Sequence, residues 1–321
     1  MSETREDRIN AFLTTSPCRG WATEPMAGDA SARRFFRLTG PGAETAILMD
    51  ADPANGEDLA PFLDIARHLR EAGLSAPGII HADIRAGLAL VGDLGPDHVT
   101  AWLARSPGDE HAIYAAATDV LIHLQQVTPP EGLATLTPAS GVAMIAPLFD
   151  HFLPPQPRGR REQIEQRLQD ALTAHAPAAT ALALRDYHAE NLIWRPHLEG
   201  LDRIGLIDFQ DAMVTPPEYD LASLLRDARR DVGDGLRSVM IARFASGLGK
   251  PLEQVGTATA ILAVQRNLRI LGIFTRLARQ AGKTRYLSLI PRTIAMIRDD
   301  LRHPALAPLA AALTPALAQA A

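Results

Sequence analysis

Residues 185–211 read RDYHAENLIWRPHLEGLDRIGLIDFQD. Asp186 and Asn191 stand five positions apart. An apolar strand pattern then ends in Ile207-Asp208-Phe209, 22 residues beyond Asp186 (208 minus 186). This is the polar equipment of a phosphoryl-transfer site. An Asp at the first position orients an attacking hydroxyl and accepts its proton, while an Asn and a second Asp hold Mg²⁺ on nucleotide phosphates. The protein has little covalent chemistry to perform, so a few oxygen donors at fixed spacing suffice. Either piece alone is common in α/β proteins; the tandem, with the apolar Leu192-Ile193-Trp194 between them, is specific.

Working outward, the chain of 321 residues is long enough for one large domain or two smaller ones with substantial cores. The net charge of −5 comes with no basic stripe interleaved with aromatics, so nucleic-acid binding has no support. Phosphates would have to be met by local Arg residues and metal rather than by the overall field. The single cysteine, Cys18, excludes a disulfide framework and a cysteine-based zinc site within the chain. The start, MSETREDRIN, has no apolar core of a secretory signal. The tail from Pro304 to Ala321 is uncharged but Ala-rich and broken by Pro308 and Pro315, which fits a terminal helix or frayed tail better than a membrane span. These features predict a cytoplasmic protein with no membrane span, and none points to an obligate protein partner.

The first ninety-odd residues alternate strand patterns and turns. Arg34–Leu38 and Ala46–Met49 read as a hairpin about Thr39-Gly40-Pro41-Gly42. Leu59, Phe62, Leu63, Ala66 and Leu69 recur at helical spacing, with Gly73 as a terminating residue. Apolar runs at Gly78–Ile80 and Leu88–Val91 complete a strand pair. Gly92-Asp93-Leu94-Gly95-Pro96 breaks the pattern and is read as a hinge, with Asp93 and Leu94 as candidate nucleotide contacts. The expectation is an N-lobe at 1–94 and a helical C-lobe at 95–321. Helices are expected at 110–127, 160–174, 218–231, 234–247, 252–281 and 285–302, with a Pro-rich region of short apolar pieces at 128–158.

Ahead of the hairpin, Gly28-Asp29-Ala30-Ser31-Ala32-Arg33-Arg34 reads either as a plain turn or as a loop covering nucleotide phosphates. In the second case Gly28 allows close backbone approach, Ser31 adds a hydroxyl, and the forked donors of Arg33 or Arg34 meet phosphate oxygens. Glu57 could orient one of the two. Asp220 is read as a helix N-cap or a brace for the catalytic loop. His188 lies inside that loop. Gln265-Arg266-Asn267-Leu268-Arg269 inserts polar groups into an otherwise apolar helix, where either a bound polar substrate or internal ion pairs must satisfy them.

Together these segments resemble the aminoglycoside phosphotransferase-like kinase superfamily. Within it the chain looks like the bacterial anomeric sugar kinases of cell-wall recycling, which act on N-acetylmuramate and N-acetylglucosamine. The matching stretches are 28–37, 185–192, 207–212, 219–225 and 265–274. The resemblance implies an α+β, two-lobed protein-kinase-like fold with a small β-rich N-lobe and a larger helical C-lobe. It implies ATP and Mg²⁺, with Asp186 as base and Asn191 and Asp208 as metal ligands. It implies a small-molecule amino-sugar substrate phosphorylated at C1, with His188, Gln265, Arg266 and Arg269 as candidate substrate contacts. One departure stands out: the strand at 46–49 carries no Lys, although a kinase-like N-lobe usually has one there. The rival expectations are an antibiotic-modifying phosphotransferase and a nucleotide-binding pseudokinase.

Overall fold

The computed structural model describes residues 4–26 and 32–319. The chain forms two compact units, one of Met1–Trp102 with Asn191–Asp211, the other of Leu103–Glu190 with Ala212–Ala321. The first is β-rich and the second is larger and mostly helical, as the sequence predicts.

The first unit opens with α1 (Arg5–Thr15), started by a capping box in which Thr4 and Asp7 exchange side-chain to backbone bonds. It continues with β1 (Ala22–Pro25), β2 (Arg34–Thr39), β3 (Thr45–Asp50), α2 (Ala60–Glu71), β4 (Ile79–Asp83) and β5 (Leu88–Gly92). The strands form one antiparallel sheet in the order β1-β2-β3-β5-β4. The predicted hairpin is β2–β3, with Arg34 opposite Asp50 and Phe36 opposite Leu48. One face of the sheet presents Leu38, Ala46, Leu48, Leu88 and Leu90 to Ile9 and Phe12 of α1. α2 buries Phe62, Leu63, Ile65, Ala66 and Leu69. It ends where Gly73 turns left-handed (φ 77°) and Leu74 N–H bonds back to Leu69 O.

α3 (Val99–Arg105) leads along the chain into the second unit. That unit contains α4 (Glu110–Leu124), α5 (Pro138–Ala143), α6 (Arg160–His175) and β6 (Ala181–Ala183). The chain then returns to the first unit through β7 (Leu192–Trp194) and β8 (Ile204–Leu206), an antiparallel pair. The remainder of the second unit comprises β9 (Met213–Thr215), which pairs with β6, then α7 (Tyr219–Leu225), α8 (Asp234–Leu248), α9 (Leu252–Gln280), α10 (Ile290–Asp300) and α11 (Ala307–Gln319). α9 is buried around most of its circumference over its central turns, including Gln265, Arg266 and Asn267. Its Ala258, Ile261, Leu262, Val264, Leu268 and Leu271 join α6, α10 and α11 in the main core.

Two expectations are corrected. The helix at 218–231 stops at Leu225, because Arg226 leaves helical geometry (φ −121°, ψ 47°) and the Asp227 carboxylate accepts the N–H of Arg229. Such a side-chain turn competes with helix continuation. The helix at 285–302 is a 3-10 turn over Thr284–Leu289 followed by α10, which has a Pro in its first turn. The tail forms the terminal helix that was one of its two expected forms, with Pro315 inside it. No helix among the described residues is long and apolar enough to cross a membrane.

Candidate active site

The segment around Asp186, in the second unit, is built on Asp220. Its two carboxylate oxygens accept the backbone N–H groups of Leu184 (2.6 Å) and Arg185 (3.0 Å). The hydroxyl of Ser223 donates to the carbonyl of Arg185 (3.2 Å). Arg185 is thereby held at φ 68°, a left-handed conformation that is costly for a side chain with a Cβ. Asp220 is therefore a brace, whereas the N-cap position of α7 is Glu218. Burial pushes the Asp220 carboxyl up to about 7, and the two N–H donors pull the other way. Behind the loop, the Tyr187 hydroxyl donates to the carbonyl of Ala117 on α4 (2.8 Å). Asp186 itself keeps 42% of its side chain exposed.

His188 is buried, and burial, then the charges of Arg229 and Arg266, hold its pKa well below the usual range. It is neutral. Arg229 Nη1 lies 3.2 Å from His188 Nε2. A guanidinium can only donate, so Nε2 accepts and Nδ1 carries the proton. Arg229 also pairs with Glu190 (2.6 Å), and the buried Asp227 holds the N–H groups of Ala189 and Arg229. The sequence reading missed Arg229 and Asp227, because residues 226–231 were assigned to the helix expected at 218–231.

In the first unit, Asp208 sits at φ 60°, two residues beyond the end of β8 at Leu206. Phe209 fixes this turn: it is fully buried and stacks on Phe62 of α2 at 5.1 Å and 7°. The carboxylate of Asp208 stays exposed and accepts from Asn191 Nδ2 (3.1 Å) and Gln210 Nε2 (2.9 Å). Among the described residues no cluster of three or more His, Cys, Asp or Glu side chains could enclose a metal. An exposed carboxylate beside side-chain amides instead suits a hard cation that keeps water and phosphate oxygens as its other ligands, which is the habit of Mg²⁺.

The remaining candidates are placed as follows. Gly28 and Ser31 lie outside the described residues. Arg33 Nε donates to Glu57 (2.7 Å), and Glu57 also accepts the N–H of Ala32 (3.2 Å). Arg34 bonds to Asp50 (2.8 Å) and to Glu6 (3.3 Å). The buried Asp50 ends β3 and takes a second guanidinium from Arg5 of α1, a pairing no local pattern announces. Asp93 accepts from Arg37 (2.8 Å) and from Gly95 N–H (2.9 Å), and Leu94 lies against Gly205, where an added Cβ would stand 3.1 Å from its Cδ1. Gln265 is fully buried and donates to the carbonyl of Gly141 (2.9 Å). Arg266 is buried with Nη2 at 3.9 Å from Asp186. Arg269, one turn further along α9, is only partly covered.

Residues 22–253 match the model of the phosphotransferase enzyme family. The chain belongs to that family. It is similar to a Caulobacter vibrioides protein named N-acetylmuramate/N-acetylglucosamine kinase, at 33% identity over 97% of this chain and 96% of that one. A Pseudomonas aeruginosa protein of the same name is 32% identical over 96% and 95% of the two chains. Among solved structures, a choline/ethanolamine kinase family protein from Mesorhizobium loti aligns with a TM-score of 0.66 at 16% identity, covering 97% of this chain and 99% of that one. An aminoglycoside-3′-phosphotransferase of type VIII aligns with a TM-score of 0.57 at 18% identity, covering 82% and 98%. At these identities the structural likeness concerns the fold alone, which is the protein-kinase-like one the sequence predicts.

Proposed function

We propose that this phosphotransferase is a sugar kinase that moves the γ-phosphoryl group of ATP to the anomeric hydroxyl of N-acetylmuramate or N-acetylglucosamine, a cytoplasmic step of cell-wall recycling. The relatives that share nearly the whole length of the chain carry that substrate pair in their names. The observation that carries the reading is the setting of Asp186. Its exposed carboxylate lies beside Arg185 and Arg266, with Arg269 within electrostatic reach. Such surroundings repel a polycationic antibiotic and suit a neutral or anionic acceptor.

In this reading Asp186 orients the sugar hydroxyl and takes its proton as the oxygen attacks phosphorus in line. Asp220 keeps the loop ahead of Asp186 in its left-handed turn, and Tyr187 anchors the loop to α4. Asn191 and Asp208 would hold Mg²⁺, which when bound neutralises charge on the transferring phosphoryl group. Arg33, oriented by Glu57, is assigned to the nucleotide phosphates, in place of the Lys that β3 lacks.

The test is a panel of N-acetylmuramate, N-acetylglucosamine and an aminoglycoside with ATP and Mg²⁺, followed by phosphorus NMR and a reducing-end assay. A 1-phosphate is non-reducing, whereas a 6-phosphate still reduces. A non-reducing sugar phosphate is expected. Phosphorylation of the aminoglycoside alone would overturn the reading, and tight ATP binding with no turnover on any acceptor would mark a pseudokinase.

A further inference from the structure

Positive charge gathers unevenly around Asp186 in the second unit. Arg185 precedes it in the chain, Arg266 approaches it to 3.9 Å, and Arg269 lies three residues along α9, on the face that Arg266 also occupies. The buried carboxylates Asp220 and Asp227 interact electrostatically with Arg266. Arg269 has no hydrogen-bond or ion-pair partner among the described residues. Individual donors further inward also lack partners. Arg266 is 4% exposed, yet its Nη1 has no hydrogen-bond partner, and neither has the buried hydroxyl of Tyr219. That hydroxyl sits within electrostatic reach of Arg185, Arg266 and Arg269. Burial, then the charge of Arg185, lowers the pKa of Arg269, and Asp186 only partly offsets them.

A buried donor without a partner costs free energy, and like charges held together cost more. An anionic ligand removes both costs. The planar fork of a guanidinium matches a carboxylate in a bidentate contact. The two sugars in the relatives' names differ by one group: N-acetylmuramate carries a lactyl ether at C3, ending in a carboxylate, and N-acetylglucosamine has a hydroxyl there. The ether arm reaches away from C1, so a sugar whose C1 hydroxyl faces Asp186 can present its carboxylate to a neighbouring cation.

We infer that Arg269, backed by Arg266 and Arg185, receives the lactyl carboxylate of the acceptor and sets a preference for the acidic over the neutral sugar. The inference rests on the sugar-kinase reading above and goes beyond it, since a sugar kinase could serve both sugars without contacting that group. Arg269 is a contact residue for specificity. Arg266, which is almost wholly covered, is a positioning residue.

The quantity to measure is the ratio of kcat/KM for N-acetylmuramate over N-acetylglucosamine, in wild type, Arg269→Met and Arg269→Lys. A ratio cancels any general loss of folding or of phosphate handling. Arg269→Met should lower it by at least ~10-fold, the lower range for a hydrogen bond to a charged group. Arg269→Lys, which keeps the charge without the fork, should fall between. A second measurement needs no variant: with wild-type protein, the methyl ester of N-acetylmuramate should lose at least ~10-fold in kcat/KM against the free acid. An ester as good as the acid overturns the inference. So does a ratio unmoved in Arg269→Met, whether both sugars decline together or neither changes. A wild-type protein active on N-acetylglucosamine but not on N-acetylmuramate leaves the sugar-kinase reading standing and removes this one. Inactivity on both sugars removes the earlier reading first.

Discussion

Asp220 holds Arg185 in a left-handed turn, one residue ahead of Asp186, by accepting its N–H at 3.0 Å while also accepting that of Leu184. The brace crosses 35 residues of sequence and fixes the backbone from which Asp186 projects. Asp220→Ala leaves two backbone donors unpaired in a dry site, and each such donor costs about 1–3 kcal/mol. We expect a loss of at least ~2 kcal/mol in urea unfolding, with kcat falling more than KM changes, because the defect lies in positioning. A variant of wild-type stability and turnover would show that Ser223 and the flanking strands hold the turn unaided.

Asp186→Asn keeps the size and hydrogen-bonding reach of the side chain and removes its basicity. Turnover should drop by at least ~10²-fold, the lower range for loss of a positioned base. Nucleotide affinity should change little, since Asp186 is assigned to the acceptor and not to the phosphates. Turnover within a few-fold of wild type would take Asp186 out of the mechanism.

Asp208→Ala tests the other carboxylate. Asp208 is exposed, bonded by Asn191 and Gln210, and pinned by the Phe209–Phe62 stack. Because Phe209 is retained, the turn should survive and the loss should concern the cation alone. Calorimetry with a non-hydrolysable ATP analogue should show Mg²⁺-dependent affinity in wild type and none in the variant. Equal Mg²⁺ dependence in both would make Asp208 a strand terminus without a metal role.

What could be read from the sequence was what local chemistry or periodicity encodes. The β2–β3 hairpin follows from aromatic and branched residues flanking a Gly-Pro-Gly turn, and α2 from its apolar repeat with Gly73 behind it. The DFQ turn after β8 was legible because an apolar strand ending in Asp is a short-range pattern. α1 was readable in principle, since Thr4 and Asp7 have capping-box spacing, but its polar surroundings hid it. Long-range pairings were illegible for a physical reason: they are decided by packing. Nothing near His188 announces Arg229, 41 residues away, and nothing in β3 announces that Asp50 takes a guanidinium from Arg5. The end of α7 was missed because Asp227 diverts the chain with its own side chain, a competition that helical periodicity does not register.

Arg226 offers one guanidinium to two neighbouring carboxylates, Asp299 at 2.7 Å and Asp300, and their pKa values move in opposite directions. The hydrogen bond from Arg226 lowers that of the more open Asp299. Burial raises that of Asp300 to about 7, with Arg226 only partly offsetting it. Below about pH 4 the Asp300 carboxyl is protonated in both the folded and the unfolded chain, and its contribution to stability is complete. Between about pH 4 and about pH 7 the unfolded chain releases this proton while the folded chain keeps it, so stability declines as pH rises. Above about pH 7 both forms are ionised and the decline stops. Asp300→Asn lacks this titration. Urea unfolding across the same range should therefore show the stability of wild type relative to Asp300→Asn falling with pH and levelling off near neutrality. A relative stability that instead rises over this window would mean that pairing with Arg226 outweighs burial and that Asp300 is ionised throughout.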